Sequence, residues 1–477
     1  MADPELTPLE KLDPALAWQP WRPTAEDPWN ARWAGHLYRR AGFGASAGEL
    51  REAVEKGLDA TLEHFTRRGA EPKLARPVRN PTAHIVHLRA WWLERTLLGV
   101  EPLREKLTFF WHNHFATSIN KVADPKLMKG QNDLLREHAL GHFGPFLREM
   151  SRDPAMLVWL DSNQNLREKP NENYAREIME LFSLGVGNYK EKDVREAARA
   201  FTGWHVSPPD AGEPHYVFRG EEHDFGSKTI LNQTGEWNGD DVVRILLEQQ
   251  ACAKFLVRKL YAFLVSDTPP PEALLEPLAE ALRKSDYDLS VPVQMILRSR
   301  HFFSAHAYRQ RVKSPVEYAV GVGRAFGINA AGGLLISPYS LIGVLELMGQ
   351  QLFAPPNVKG WEGGKSWLNT ATVLARHNFA QSVSQGMGEL NLSAAQITGQ
   401  GFLPAVDPLA MIRKDKMHDP EKVVRLYGEM LLPGDLREEV AERLIGHIAQ
   451  GHGEFGFEQR TRDALFVLMT LPEYQLC

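Results

Sequence analysis

A mainly α-helical fold is predicted from three observations. Capped helix starts recur along the chain, the apolar residues behind them return every three or four positions, and the alternation of strand and helix that builds a parallel sheet is absent. Residues 1–30, rich in Pro and Trp (Trp18, Trp21, Trp29), are read as an extended N-terminal arm. Ser46-Ala-Gly-Glu49 is a capping box: the serine oxygen takes an orphan amide while Glu49 folds back onto the cap. Leu50, Val54, Leu58 and Leu62 then follow at roughly helical spacing. The spacing predicts helices near 82–98, 103–118, 125–140, 171–184, 191–203, 239–249 and 251–265. Further helices are expected near 274–284, 288–299, 314–326, 338–348, 366–383, 420–431, 435–449 and 458–470. Ser314-Pro-Val-Glu317 is a strong start, because proline at the first helical position loses no hydrogen bond, and Asp419-Pro420 repeats that logic. Strand signals are confined to Tyr216-Val-Phe218 and Lys228-Thr-Ile-Leu231, expected to pair as one small hairpin in an irregular insertion, 204–238. The organisation expected is a main helical domain over 31–383, a loop or linker at 384–405 carrying Gly386, Gly388, Gly399 and Gly401, and a C-terminal helical segment over 406–477 packed on the main body.

Composition narrows the function classes. Among 477 residues, 55 Lys+Arg face 60 Asp+Glu, a net charge of −5, which excludes a general nucleic-acid footprint. Apolar residues at 43% and charged residues at 24% are ordinary globular usage, so the chain is not of the disordered class. Cys252 and Cys477 cannot make a disulfide framework or a thiolate metal site. No apolar run approaches the roughly 18 residues of a membrane span. The acidic, proline-punctuated start lacks the basic and apolar regions of a secretory signal, so a cytoplasmic location is expected as written, and a periplasmic or exported one if a leader was removed.

The common catalytic signatures are missing: no G-x-S-x-G elbow, no H-E-x-x-H, no phosphate loop and no paired C-x-x-C. Gly321-Val-Gly-Arg-Ala-Phe-Gly327 has the wrong spacing for a dinucleotide turn, so no nucleotide or flavin is expected. The most unusual run is Phe109-Phe-Trp-His-Asn-His-Phe115. Imidazole suits zinc, copper, iron and nickel, but two residues apart on a helix point about 200° away from each other. His112 and His114 could therefore share an ion only if the helix ends or distorts between them; otherwise they are hydrogen-bonded core and cap groups. In Pro170-Asn-Glu-Asn-Tyr-Ala-Arg-Glu-Ile-Met-Glu-Leu-Phe182, a buried stripe of Tyr174, Ile178, Leu181 and Phe182 leaves Asn173, Glu177 and Glu180 on an adjacent face. Arg176 and Glu180 could form a plain surface ion pair; alternatively Glu177 and Glu180 line a cleft as metal ligands or an acid/base pair, with Asn171 and Asn173 as orienting amides. Two carboxylates so placed would shift each other's protonation.

His205, His215 and His223 fall in the insertion, and His223-Asp224 in a glycine-bounded turn reads either as a ligand pair or as a turn former. Asn357-Val-Lys-Gly-Trp-Glu-Gly-Gly-Lys-Ser-Trp367 offers Trp361 and Trp367 for stacking on a sugar or peptide and Lys359 or Arg376 for an anion, or else is a packed connector.

Taken together, Leu103-Arg-Glu-Lys-Leu-Thr-Phe-Phe-Trp-His-Asn-His-Phe-Ala-Thr-Ser118, the 170–182 run, Ala198-Arg-Ala-Phe-Thr-Gly-Trp204, His223-Asp-Phe-Gly-Ser-Lys-Thr229, Pro355-Pro-Asn-Val-Lys-Gly-Trp361 and Leu471-Pro-Glu-Tyr-Gln-Leu476 resemble the hallmarks of a bacterial family catalogued as domain of unknown function 1800. The likeness begins at His36-Leu-Tyr-Arg-Arg-Ala-Gly-Phe-Gly44 and runs to the C-terminus. It implies no established activity; it implies a neighbourhood with sulfatase-like proteins as possible partners, and export in many members.

The leading expectation is a metal-dependent enzyme, a hydrolase rather than an oxidoreductase, acting on a glycan or peptide. The metal ligands expected are His112, His114, Glu177 and His223, with Glu177, Glu180, His205 and Asp224 as acid/base groups, holding zinc, iron, manganese or copper. The alternatives are a non-catalytic helical scaffold binding a partner protein or glycan, and a metal-free glycosidase using Glu177 and Glu180.

Overall fold

The capping groups legible in the sequence open the helices they announce. Ser46 and Glu49 form the full capping box of Ala47–Lys56. Ser314 and Glu317 do the same for Pro315–Phe326, and the Asp419 side chain accepts from the Glu421 amide ahead of Pro420–Leu431. The computed structural model describes residues 7–67, 78–208, 212–327, 336–386 and 407–477, and they are mainly α-helical with two small two-stranded antiparallel sheets.

The chain folds into two units that interleave along the sequence. The first comprises Met1–Pro20, Leu107–Phe302 and Leu352–Glu362. Its interior is aromatic: Trp111 lies edge-on to Phe146 at 5.1 Å and Phe115 meets Phe182 at 5.1 Å, so large rings fill the space between helices. The described part of the N-terminal arm is not fully extended, since Leu9–Lys11 and Pro14–Ala17 are helical turns. Trp18 anchors it, its indole N–H donating to the Leu274 carbonyl at 2.7 Å.

The second unit comprises Trp21–Lys106, Phe303–Gln351 and Gly363–Cys477. Trp21 stacks on Phe303 at 4.6 Å, and Trp33 meets the same ring edge-on at 5.8 Å. Residues 31–383, expected as one domain, are thus divided between the units, and 407–477 belongs with residues 21–106. Of the expected 384–405 linker, Gln385 still ends the Thr370–Gln385 helix and Gly386 caps it in the left-handed conformation. Gly388, Gly399 and Gly401 lie outside the described residues.

The expected hairpin is corrected. Tyr216–Phe218 pairs with Trp204–Val206, and Lys228–Ile230 pairs with Gln233–Gly235, so the two predicted strands do not meet. The local reason is turn chemistry: Leu231 and Asn232 both take positive φ (49° and 67°), the two-residue turn that folds a strand back on its immediate successor. The helix expected over 171–184 is α only through Asn173–Glu177 and then widens to a π-helix over Ile178–Ser183.

Candidate functional site

The Pro102–His114 helix runs unbroken through both histidines. Their rings therefore leave in different directions, and each is used. His112 Nε2 accepts the Phe353 amide at 3.2 Å, and burial pushes the ring down to about 3, so it is neutral. His114 Nε2–H donates to the Phe182 carbonyl at 3.0 Å, which leaves its lone pair on Nδ1, and that accepts from Lys259 Nζ at 3.2 Å. Burial first, and then the neighbouring Lys259, hold His114 well below its ordinary value. A His114 ring with both nitrogens committed has no electron pair left for a metal.

The π-helix explains why those partners stand where they do. The Leu184 and Gly185 amides both reach back to the Met179 carbonyl, at 2.9 and 3.2 Å, and Ser183 Oγ donates to the Ile178 carbonyl at 2.5 Å. Near this C-terminal end the Leu181 carbonyl takes Lys259 Nζ at 3.2 Å and the Phe182 carbonyl takes His114. Such a bulge is uncommon and recurs at functional sites. Lys259 escapes a search for motifs, but its sequence signal is visible: a lysine between Phe255 and Phe263, four residues from each, on one side of the Gln250–Leu264 helix.

The same π-helix re-aims Glu180. The expected Arg176–Glu180 pair does not form; Arg176 bonds Glu172 at 2.9 Å and Glu191 at 2.8 Å, while Glu180 accepts the Tyr189 hydroxyl at 2.6 Å. Glu177 is half-buried. Burial, then the Glu180 carboxylate, raise its pKa, and Arg176 and Lys359 pull it back. Asn171 turns inward rather than toward the carboxylates: it lines a cavity of ≈ 10 Å³ with Ser151, Ser162, Asn165, Tyr174 and Trp204, a space the size of a single water molecule.

In the insertion, His223 Nδ1–H donates to the Thr202 carbonyl at 2.8 Å. Burial and Lys228 lower its pKa against that bond. Asp224 acts as a turn former: Oδ1 accepts the Gly226 amide at 2.8 Å and Oδ2 the Arg199 guanidinium at 2.7 Å. Burial pushes the Asp224 carboxyl up, but Arg199 and the Gly226 amide outweigh it and the net shift is downward. His205 meets Glu222 at 2.6 Å; burial lowers its pKa in spite of that carboxylate. His215 is exposed.

His112, His114, Glu177 and His223 are thus not brought together. Among the described residues no group of three or more His, Cys, Asp or Glu side chains is placed to share an ion. The structure holds these side chains in separate bonds: the helix does not break at Asn113, and both nitrogens of His114 and Nδ1 of His223 bond to the protein itself. Trp361 and Trp367, proposed as a stacking platform, are 8% and 7% exposed. Arg376 is buried, donating to the Lys313 carbonyl at 2.7 Å and to Gln475 Oε1 at 3.1 Å.

The geometry defines a mainly α-helical protein whose two units alternate along the sequence. No helix among the described residues is long and apolar enough to cross a membrane. The chain belongs to the family described as Protein of unknown function (DUF1800), which it matches over residues 36–476. No curated protein and no solved structure matches it.

Proposed function

We propose that this protein is a non-catalytic helical scaffold that binds a partner protein through the 204–238 insertion. One observation carries the reading: Phe218 and Phe225, 48% and 63% exposed, flank the buried His223 ring at 5.3 and 4.7 Å. Leu166 is also exposed, and the next residue ties its segment to the insertion, the Arg167 amide donating to the Glu222 carbonyl at 2.9 Å. Large apolar groups held outward on a fastened frame are what an interface anchor requires. The frame is tight: Gly203 takes φ of 79°, and its carbonyl accepts the Arg219 amide at 2.8 Å. The first partner to test is the sulfatase-like class that the family resemblance implies, with a glycan as the competing ligand. Pull-down of that protein by the full chain is expected to fall at least tenfold on Phe225→Ser with Phe218→Ser, while helicity is unchanged. Undiminished capture, or stoichiometric zinc, iron, manganese or copper lost on Glu177→Ala, would overturn the scaffold reading.

A second reading, a hydrolase, is favoured by the half-buried Glu177 with its raised pKa beside Glu180. With the imidazoles committed elsewhere, it takes the acid/base form rather than the metal-bound one. Turnover of aryl glycosides abolished by Glu177→Gln would support it.

A further inference from the structure

Thr202 fixes which nitrogen of His223 carries the proton. Its hydroxyl donates to the Arg199 carbonyl at 2.6 Å and accepts the Asp224 amide at 2.8 Å, so it has no proton left for the imidazole. The Thr202 carbonyl, 2.8 Å from Nδ1, can only accept, and Nδ1 is therefore the protonated nitrogen. Burial, the largest influence, lowers the pKa of the ring and keeps it neutral, which leaves the lone pair on Nε2. Among the described residues Nε2 has no hydrogen-bond partner, and the ring is only 2% exposed. An acceptor on so buried a ring is unsatisfied by the protein itself and waits on a donor from outside.

The surroundings of this acceptor say what kind of donor fits. Phe218 and Phe225, both exposed, meet the imidazole nearly edge-on, at 5.3 and 4.7 Å between ring centres. The two rings also converge on Gly220, where a Cβ would stand 3.9 Å from Phe218 Cε1 and 4.0 Å from Phe225 Cζ. Charged side chains of the same turn are paired within it. Asp224 holds Arg199 at 2.7 Å, Glu222 meets His205 at 2.6 Å and Arg219 at 3.2 Å, and Lys228 donates to the Gly226 carbonyl at 2.9 Å. Glu221 is exposed to solvent. A carboxylate or phosphate would bring Nε2 only further acceptors. An ammonium gains little from a neutral imidazole and is opposed by Lys228. An amide or hydroxyl carries an acceptor of its own, which phenyl rings cannot satisfy. An indole is a donor only, on a flat apolar body that covers phenyl rings.

We propose that Phe218, His223 and Phe225 form the seat for a tryptophan side chain of the partner protein, its indole N–H donating to His223 Nε2. This rests on the reading of the insertion as a docking surface and names what that surface receives. The probe is N-acetyltryptophanamide, titrated into the full chain beside the matching amide of 3-benzothienylalanine, in which sulfur replaces the N–H, and beside N-acetyllysinamide. Histidine nitrogen-15 shifts report the affinity and the atom engaged. A dissociation constant in the millimolar range is expected for a lone side chain. The benzothiophene should bind roughly fivefold more weakly, as the loss of one hydrogen bond implies. Nε2 of His223 should shift with the indole alone, and Phe225→Ser should weaken binding at least fivefold. His223→Leu should bind the two ring systems alike; if it fails to fold, the comparison on the parent decides. No saturable indole binding, equal affinity of the parent for both ring systems, preference for the lysine amide, or undiminished binding by Phe225→Ser would overturn the assignment. The two ideas fail separately. Partner capture undiminished by the Phe218 and Phe225 variants removes the docking reading, whereas indole and benzothiophene bound alike removes only the tryptophan seat.

Discussion

Asn113 holds Trp361 by both ends of its side-chain amide: Nδ2 donates to the Trp361 carbonyl at 3.1 Å, and Oδ1 accepts the Trp361 amide at 2.7 Å. With His112 accepting the Phe353 amide one position earlier, and the Ile119 amide donating to the Phe353 carbonyl at 2.8 Å, the end of the Pro102–His114 helix fixes the Leu352–Glu362 segment along its length. The aromatic-histidine run and the Pro-Pro-Asn-Val-Lys-Gly-Trp run are two halves of one fastening.

Asn113→Ala should therefore cost roughly 2–4 kcal/mol, since it leaves a backbone donor and acceptor without partners. Gly360→Ala should cost a similar amount by a different route. A Cβ there would stand 2.2 Å from Asn113 Oδ1 and 2.5 Å from the Asn113 carbonyl, at φ of 80°. Urea unfolding with hydrogen exchange over residues 352–362 checks both. Faster exchange confined to that segment is the expected pattern; unaltered exchange would contradict the fastening.

Lys259 gives a pH signature. Burial pushes its ammonium down to about 8 from an ordinary 10.5, so folding disfavours the charged form. The sign follows: the contribution is fully present above pH 10.5 and is lost as pH falls through 8. The parent should lose roughly 1–3 kcal/mol relative to Lys259→Met between those limits. Denaturant unfolding of the two proteins side by side from pH 7.5 to 10.5 measures the difference, and parallel curves would refute it.

What the sequence disclosed and what it withheld divide along a physical line. Helix starts at Ser46, Ser314 and Asp419 were legible because a cap is a local hydrogen bond between residues two or three apart. The mutual divergence of His112 and His114 was legible as a condition, through the 200° rule of helical geometry, roughly. The π-helix at Ile178–Ser183 was not, because it depends on carbonyl partners 68 and 78 residues distant, His114 and Lys259. Pairing of Tyr216–Phe218 with Trp204–Val206 was missed for a related reason: Trp204 and His205 follow directly on the helix expected over 191–203, and only the return of the chain makes them a strand.

Asp153 offers a second, opposite pH signature. Its carboxyl caps Pro154–Trp159, Oδ2 accepting the Met156 amide at 2.8 Å and Gln131 Nε2 at 2.7 Å. Burial outweighs those bonds and pushes the group up to about 7 from 3.8. An acid raised on folding contributes stability that is fully present below pH 3.8 and is lost as pH rises through 7. Asp153→Asn, which keeps an oxygen acceptor at the cap, should therefore gain roughly 2–4 kcal/mol on the parent between pH 4 and 8. Unfolding at those two values is sufficient, and a gap that stays constant would show that the carboxyl titrates normally.

The Lys106–Glu317 pair tests how the second unit tolerates charge. Both side chains are buried, Lys106 also donates to the Arg39 carbonyl at 3.1 Å, and Arg311 adds a second cation to Glu317 at 3.4 Å. Burial raises the Glu317 pKa, but Lys106 and Arg311 more than reverse this and hold it well below the carboxylate range. Removing one partner strands the other, so Lys106→Met should destabilise by roughly 3–5 kcal/mol. Glu317→Gln should cost about as much, because it removes the carboxylate charge that Lys106 and Arg311 share. The double variant should recover part of the loss, giving a coupling energy of roughly 1–3 kcal/mol in a double-mutant cycle. Simple additivity of the single losses would mean that Arg311 alone suffices to neutralise Glu317, and that Lys106 is held mainly by the Arg39 carbonyl.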